Sequence, residues 1–287
     1  MSYVTTKDIL LQAQQGGYAV GAFNVENMEM AQAVIRAAAE LSAPVILQTT
    51  PSTLRYAAAK TYSAIVTQLA RQAPVPVALH LDHGSSFDMA GQALEAGYSS
   101  VMIDGSKETF EQNIRLTRQV VEAAHKYQVP VEAELGKVGG KEDDLEAEAD
   151  VYTDPEQARI FVEQTGVDSV AVAIGTAHGV YHGEPKLDVG RLREIRKLVM
   201  VPLVLHGASG LSDDSVKECI QAGICKVNFA TELRIAYSDG IKEILADVPE
   251  TFDPKIYGKN GRERVKNLVK DRMMTCGCQG KGSQAIG

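Results

Sequence analysis

Three histidines in this sequence share one local setting. His83, His178 and His206 each follow a short apolar run, and each is followed by a glycine: Gly84, Gly179 and Gly207. One histidine in such a place is more often packed or solvated than a ligand. Three of them, each just past a strand-like run, suit a single divalent metal held by imidazoles with a position left open. Oxygen and amide groups recur at equivalent places, with Asp82 beside His83, Asp104 after VMI, Glu134 inside VEAEL, Asn24 after GAF and Asn228 inside KVNF. Backbone N–H groups at Gly179, Gly207, Ala208 and Ser209, and from Asn228 through Phe229 and Ala230 to Thr231, offer an anion cradle, joined by the hydroxyls of Ser209 and Thr231. Each glycine also suits a simple turn, but glycine next to a proposed ligand in separate loops favours close approach of a bound molecule.

For these residues to meet, the elements carrying them must converge. Short apolar segments alternate with longer segments of helical period, the signature of βαβ units and a parallel sheet. Strands are expected at 19–25, 45–50, 77–81, 100–103, 131–135, 169–175, 201–205 and 226–229. Helices are expected at 6–15, 29–41, 56–71, from Ser86 to about 97, at 108–127, and after Asp154, Asp188 and Ser212. Eight repeats of strand then helix fit a (β/α)8 TIM barrel, an α/β fold in which the C-terminal strand ends face one another and phosphate commonly binds after the last two strands. A doubly wound open sheet is the alternative, but it does not naturally gather residues from so many strand ends around one centre.

Two stretches depart from the alternation. Residues 136–153 follow a strand directly and are polar and glycine-rich at the front, which suits a mobile active-site loop, with Glu146, Glu148 and Asp150 as its solvated acidic part. The tail from about 249 to 287 holds more than eight repeats need, including a basic helix to Met274. It is expected to cap the barrel or reach a neighbouring subunit. Residues 1–287 are therefore read as one barrel domain with an extra C-terminal helical segment.

Composition narrows the function. The chain has 287 residues, 45% of them hydrophobic and 23% charged, with a net charge of −8. This describes a globular enzyme-sized chain and argues against nucleic acid as the default partner, so any phosphate recognition must be local. The first residues lack a basic segment followed by a long apolar run, and no stretch approaches eighteen consecutive apolar residues, which points to a cytoplasmic protein without a membrane span. Cys219, Cys225, Cys276 and Cys278 form neither a disulfide framework nor a paired Cys-x-x-Cys zinc pattern and read as buried or tail thiols.

Taken together, AFN at 22–24, HLDH at 80–83, MIDGS at 102–106, VEAELG at 131–136, GGKEDD at 139–144, AIGTAHG at 173–179, PLVLHGASG at 202–210 and KVNFATE at 226–232 resemble the class II, zinc-dependent ketose-bisphosphate aldolases. The likeness spans nearly the whole chain and is nearest to the tagatose-1,6-bisphosphate aldolases, with fructose-1,6-bisphosphate and other phosphorylated keto sugars as alternative substrates. It implies reversible cleavage to dihydroxyacetone phosphate and glyceraldehyde 3-phosphate. By position, it implies that His83, His178 and His206 bind Zn2+, that Asp82 exchanges a proton with the oxygen at the broken bond, and that Glu142 moves the proton on carbon. It further implies that Asp104 and Glu134 hold a second metal position or orient the ligands, and that Asn24 touches substrate. Gly179, Gly207, Ala208, Ser209, Asn228, Phe229, Ala230 and Thr231 fall on its phosphate site, which can include a monovalent cation, Na+ or K+.

The resemblance also implies a homodimer or homotetramer and leaves room for a noncatalytic accessory subunit. Lys255, Lys259 and Arg262 stand where relatives carry arginine toward the second phosphate; a lysine neutralises phosphate but lacks the bidentate fork. A class I aldolase would need a Schiff-base lysine inside the barrel. Lys226 and Lys137 need only a solvated role, and three histidines would then go unexplained. A metal-dependent epimerase or hydrolase could use the same metal set, and a noncatalytic sugar-phosphate-binding partner would lack a ligand or proton-transfer residue. His80 is expected to point into the barrel as an orienting or packed residue, His125 lies on a helix, and His182 has no assigned role.

Overall fold

Both faces of a strand in a closed parallel barrel are covered, which is why these strands read as unbroken apolar runs with few polar interruptions. A computed structural model gives the fold. It describes residues 2–142, 145–147, 152–179, 181, 183 and 185–282, with the backbone alone at 141, 142 and 145–147. The first half runs α1 (Thr6–Gly16), β1 (Val20–Asn24), α2 (Met28–Leu41), β2 (Val45–Thr49), α3 (Pro51–Ala57), α4 (Ala59–Ala70), β3 (Val77–Gly84), α5 (Phe87–Glu95), β4 (Ser100–Ile103) and α6 (Phe110–Ala124). The second runs β5 (Val131–Leu135), β6 (Gly139–Glu142), β7 (Leu145–Ala147), α7 (Pro155–Thr165), β8 (Ser169–Val172), β9 (Ala177–His178), α8 (Val189–Leu198), β10 (Leu203–Leu205), α9 (Asp213–Gln221), β11 (Ile224–Phe229), α10 (Thr231–Asp247) and α11 (Pro254–Thr275).

Eight strands close in the order β1-β11-β10-β8-β5-β4-β3-β2, every neighbour parallel. The expected (β/α)8 barrel is the fold. Helix starts are fixed locally. Asn27, Ser86, Asp154 and Ser212 each accept the backbone N–H three residues on, and Thr109 with Gln112 completes a reciprocal capping box. Each such cap is worth roughly 1 kcal/mol.

Two expectations change. The helix expected at 56–71 is instead two, because Thr50 caps a helix that begins at Pro51 and Ala58 then breaks it with a φ of 59°. Proline at the first helical position gives up no intrahelical hydrogen bond, so the earlier start was open to the chain. The stretch after β5 contains strands where a loop was expected: β6 pairs antiparallel with β7 and parallel with β9, Gly139 opposite Ala177 and Gly140 opposite His178. Glu148, Asp150 and His182, and the side chains of Glu142 and Glu146, lie outside the described residues.

The tail covers the barrel. Helix α11 packs on α10, α2 and β1, and α10 meets it through facing glycines, since a Cβ on Gly240 would come within 2.7 Å of Gly261 Cα. The Cys276 carbonyl then accepts the N–H of Ala19 at 3.0 Å, tying the end of the tail to the entry of β1. The four cysteines are free and buried. Among the described residues no helix is long and apolar enough to cross a membrane.

Candidate active site

Strand β3 ends irregularly. Its pairing with β4 shifts register between Leu81 and Gly84, and His83 takes a φ of 49°, a left-handed conformation that costs a non-glycine residue about 1–3 kcal/mol. Regular alternation alone would send Asp82 and His83 to opposite faces. The bulge lets both reach partners at the same end of the barrel. Gly84 follows because a Cβ there would run into the Met102 carbonyl.

His83 meets two other histidines there. Its ring centroid is 5.0 Å from that of His178 on β9 and 4.7 Å from that of His206, which follows β10. One ligand atom from each of the three lies within 4.8 Å of the others, and His83, Asp104 and Glu134 form a second group meeting the same limit. Asp104, just past β4, accepts from His83 Nδ1 at 2.9 Å, which leaves Nε2 as that ring's other ligand atom. Burial alone would raise the Asp104 pKa, but the hydrogen bond and charge of His83 hold it well below the carboxylate range. Carboxylates that orient imidazoles in this way are the usual support of a metal centre.

The third histidine has a support that the sequence reading missed. His206 Nε2 donates to Glu132 Oε1 at 2.9 Å, and Glu132 Oε2 accepts from Lys226 Nζ at 2.8 Å, with none of the three side chains more than 2% exposed. Lys226 therefore has no solvated role: it is a buried counter-charge, and its amine is committed to an ion pair. Burial would raise the Glu132 pKa, but the ammonium of Lys226, the hydrogen bond from His206 and the charge of the neighbouring imidazoles together outweigh it and hold the carboxylate well below its usual range. His80 lies beside this pair, bonded through Nδ1 to Ser100 Oγ at 2.8 Å, and its pKa is pushed well down by burial and by the Lys226 charge. The signal for Glu132 was present, since residues 132 and 134 share one face of a strand.

The donor set fits a divalent ion. With Nε2 held by Glu132, His206 turns Nδ1 toward Glu134 Oε2 at 3.3 Å, yet both atoms are fully buried and neither has a hydrogen-bond partner. Burial lowers the His206 pKa, but the bond to Glu132 and the Glu134 carboxylate together lift it to about 9. Orphaned buried polar atoms of this kind call for an occupant. The cluster is able to coordinate a divalent metal.

Asp82 is clamped by amides. Asn24 Nδ2 donates to its Oδ2 at 2.9 Å and Asn228 Nδ2 to its Oδ1 at 3.1 Å, while Gln48 Nε2 holds Asn24 Oδ1 at 2.7 Å. Gln48 was not anticipated, although it is the lone amide in the run VILQT and sits in register with Asn24. Asn24 thus touches the proposed acid/base.

Around this centre the proposed cradle forms from two joined loops. Ser209 Oγ accepts the N–H of Ala230 at 3.1 Å, and the N–H of Ala208 reaches the carbonyl of Asn228 at 3.4 Å. Helix α10 begins at Thr231 without a side-chain cap, and Gly179 and Gly207 have φ values of 90° and 67°. An uncapped helix start presents N–H groups to an anion. Phe229 is different, because its ring is fully buried and stacked on Phe23 at 5.5 Å, leaving only its backbone for a ligand. The distal set is partnered elsewhere. Lys255 bonds Asp253 at 2.8 Å, Arg262 bonds Gln32 on α2 at 2.6 Å, and Lys259 is exposed on α11.

The sequence from residue 4 to 281 matches the family model described as fructose-bisphosphate aldolase class-II. This chain belongs to the class II aldolase family. It is similar to the YdjI aldolase of Escherichia coli K12, with 39% identity and a TM-score of 0.88 over 98% of this chain and all of that one. A Coccidioides immitis protein described as a candidate fructose-1,6-bisphosphate aldolase shares 29% identity at a TM-score of 0.88, covering 96% and 97% of the two chains. The fold also matches a fructose-bisphosphate aldolase of Campylobacter jejuni, with 24% identity and a TM-score of 0.85 over 98% and 97%. As a class II aldolase, the chain is a carbon–carbon lyase acting on a phosphorylated keto sugar.

Proposed function

We propose that this class II aldolase is zinc-dependent and cleaves a ketose 1,6-bisphosphate to dihydroxyacetone phosphate and glyceraldehyde 3-phosphate. The observation that carries the reading is the meeting of His83, His178 and His206 within 4.8 Å at the strand ends that also present Asp82. The family model and the Coccidioides immitis relative favour fructose 1,6-bisphosphate, or another phosphorylated keto sugar, over the tagatose 1,6-bisphosphate suggested by the motifs.

A divalent ion held by the three histidines supplies Lewis-acid stabilisation of the negative charge left on the ketone-side fragment. The residues of the chain do the rest. Asp82 takes the proton of the C4 hydroxyl as the aldehyde forms, and its two amide partners fix the carboxylate for that transfer. Glu142, at the end of a strand paired beside His178, returns a proton to carbon. Asp104 and Glu134 hold the imidazoles in place. The cradle from Gly179, the Gly207–Ser209 turn and the Asn228–Thr231 segment binds the phosphate of the ketone-side fragment, which supplies orientation. A second phosphate would draw Lys255 and Arg262 from Asp253 and Gln32.

The test is a coupled cleavage assay on fructose and tagatose 1,6-bisphosphates in parallel, before chelation, after it, and with zinc restored. Loss and recovery of activity support the three-histidine site, and the ratio of the rates names the sugar. Cleavage that survives chelation and stops with borohydride would overturn it in favour of a lysine mechanism.

A further inference from the structure

The hydroxyl of Tyr181 lies between two loops. It accepts the backbone N–H of Ala177 at 2.8 Å and donates to the carbonyl of Gly207 at 2.7 Å. Ala177 precedes His178 on β9, and Gly207 follows His206 and opens the proposed phosphate cradle. One phenol thus uses its donor and an acceptor site to bridge the segments that carry two of the histidines. The gap it spans is narrow. A Cβ on Gly207 would sit 2.6 Å from the Ala177 carbonyl oxygen, at a φ of 67°. The other edge of β9 is held by β6, with Gly140 paired against His178, so β9 is fixed from both sides.

Resting on the reading of the site given above, we propose that Tyr181 is a positioning residue that sets the His178 strand against the loop from His206 to Ser209, so that one hydroxyl fixes the geometry of both the metal ligands and the phosphate cradle. It acts through backbone groups and needs no contact with substrate. Phenylalanine would keep the ring and lose both bonds.

The test uses the full chain stripped of metal, as wild type and as Tyr181→Phe. Zinc affinity is measured by competition with a chelating dye, and inorganic phosphate affinity of the zinc-free protein by calorimetry. Both are expected to weaken roughly tenfold, the size of effect that loss of one or two hydrogen bonds allows. The visible absorption of bound Co2+, which reports ligand arrangement, is expected to shift. Unchanged zinc affinity, or a fall in one affinity while the other holds, overturns the proposal. Gly207→Ala opens the same gap from the other side and guards against a folding defect in the first variant. It should reproduce the paired losses, and the double variant should lose little more than either; simple additivity would also overturn the proposal. A wild-type chain that takes up no zinc brings down the reading of the metal site, and the positioning role with it, before any variant is compared.

Discussion

Asn228 donates to Asp82 at 3.1 Å across 146 residues of chain, which makes the last barrel strand a support for a carboxylate at the end of the third. Asn24 takes the other oxygen. The carboxylate is thereby held with both oxygens engaged, which suits the proton transfer proposed for it. Asp82→Asn presents one acceptor oxygen where two are used and cannot take the proton. A loss of about 10²–10⁴ in kcat is expected, the range for a positioned acid/base, with zinc content measured by atomic absorption unchanged. Near-normal turnover would remove Asp82 from the proton path.

Gln48 acts on Asp82 only through Asn24. Gln48→Leu should therefore lower kcat in the same sense as Asn24→Ala, by a smaller factor, and the two should be non-additive when combined. Steady-state kinetics of the two single variants and the double variant measure this. Independent losses that simply multiply would mean that Gln48 works by another route.

Lys226 balances Glu132 where water does not reach. Lys226→Met leaves that carboxylate buried without its counter-charge and is expected to cost roughly 3–5 kcal/mol of stability. Adding Glu132→Gln should recover part of this, because the amide oxygen can still accept from His206. Urea unfolding of the three proteins is the measurement. A loss under about 1 kcal/mol in the single variant would contradict the ion pair's part in stability.

Metal bound at the three histidines, as proposed, would stabilise only the folded chain. At a thousand times its dissociation constant an ion adds about 4 kcal/mol, enough to raise the melting temperature of a chain this size by on the order of ten degrees. Scanning calorimetry with and without zinc should register that rise, and His206→Ala should abolish it. An equal rise in the variant would place the ion elsewhere.

Much of the barrel was legible because a parallel strand with two covered faces has to be apolar throughout, and eight such runs separated by helical periods have few ways to close. The three histidines were legible because each stood at the end of such a run. What escaped lay inside the strands. Lys226 read as a surface lysine, since nothing local distinguishes a charge that faces solvent from one paired across a barrel, and its partner Glu132 is 94 residues away. Gln48 escaped for the same reason. The break at Ala58 went unread because alanine is a good helix former and the cause lies upstream, in the cap at Thr50. Nothing in the adjacency of Asp82 and His83 announces the bulge and the strained φ by which the chain brings both to one end of the barrel.

The separation of Glu132 from Lys226 also bears on how the chain comes to be folded. Glu132 is made on the fifth barrel strand and Lys226 only on the eighth. At ordinary synthesis rates of about 5–20 residues per second, the carboxylate waits on the order of ten seconds for its partner. Until then β5 has at most the imidazole of His206 to set against that buried charge. The strand that closes the sheet, β11, is thus also the one that brings the ammonium to Glu132, so closure and neutralisation of the barrel interior arrive together.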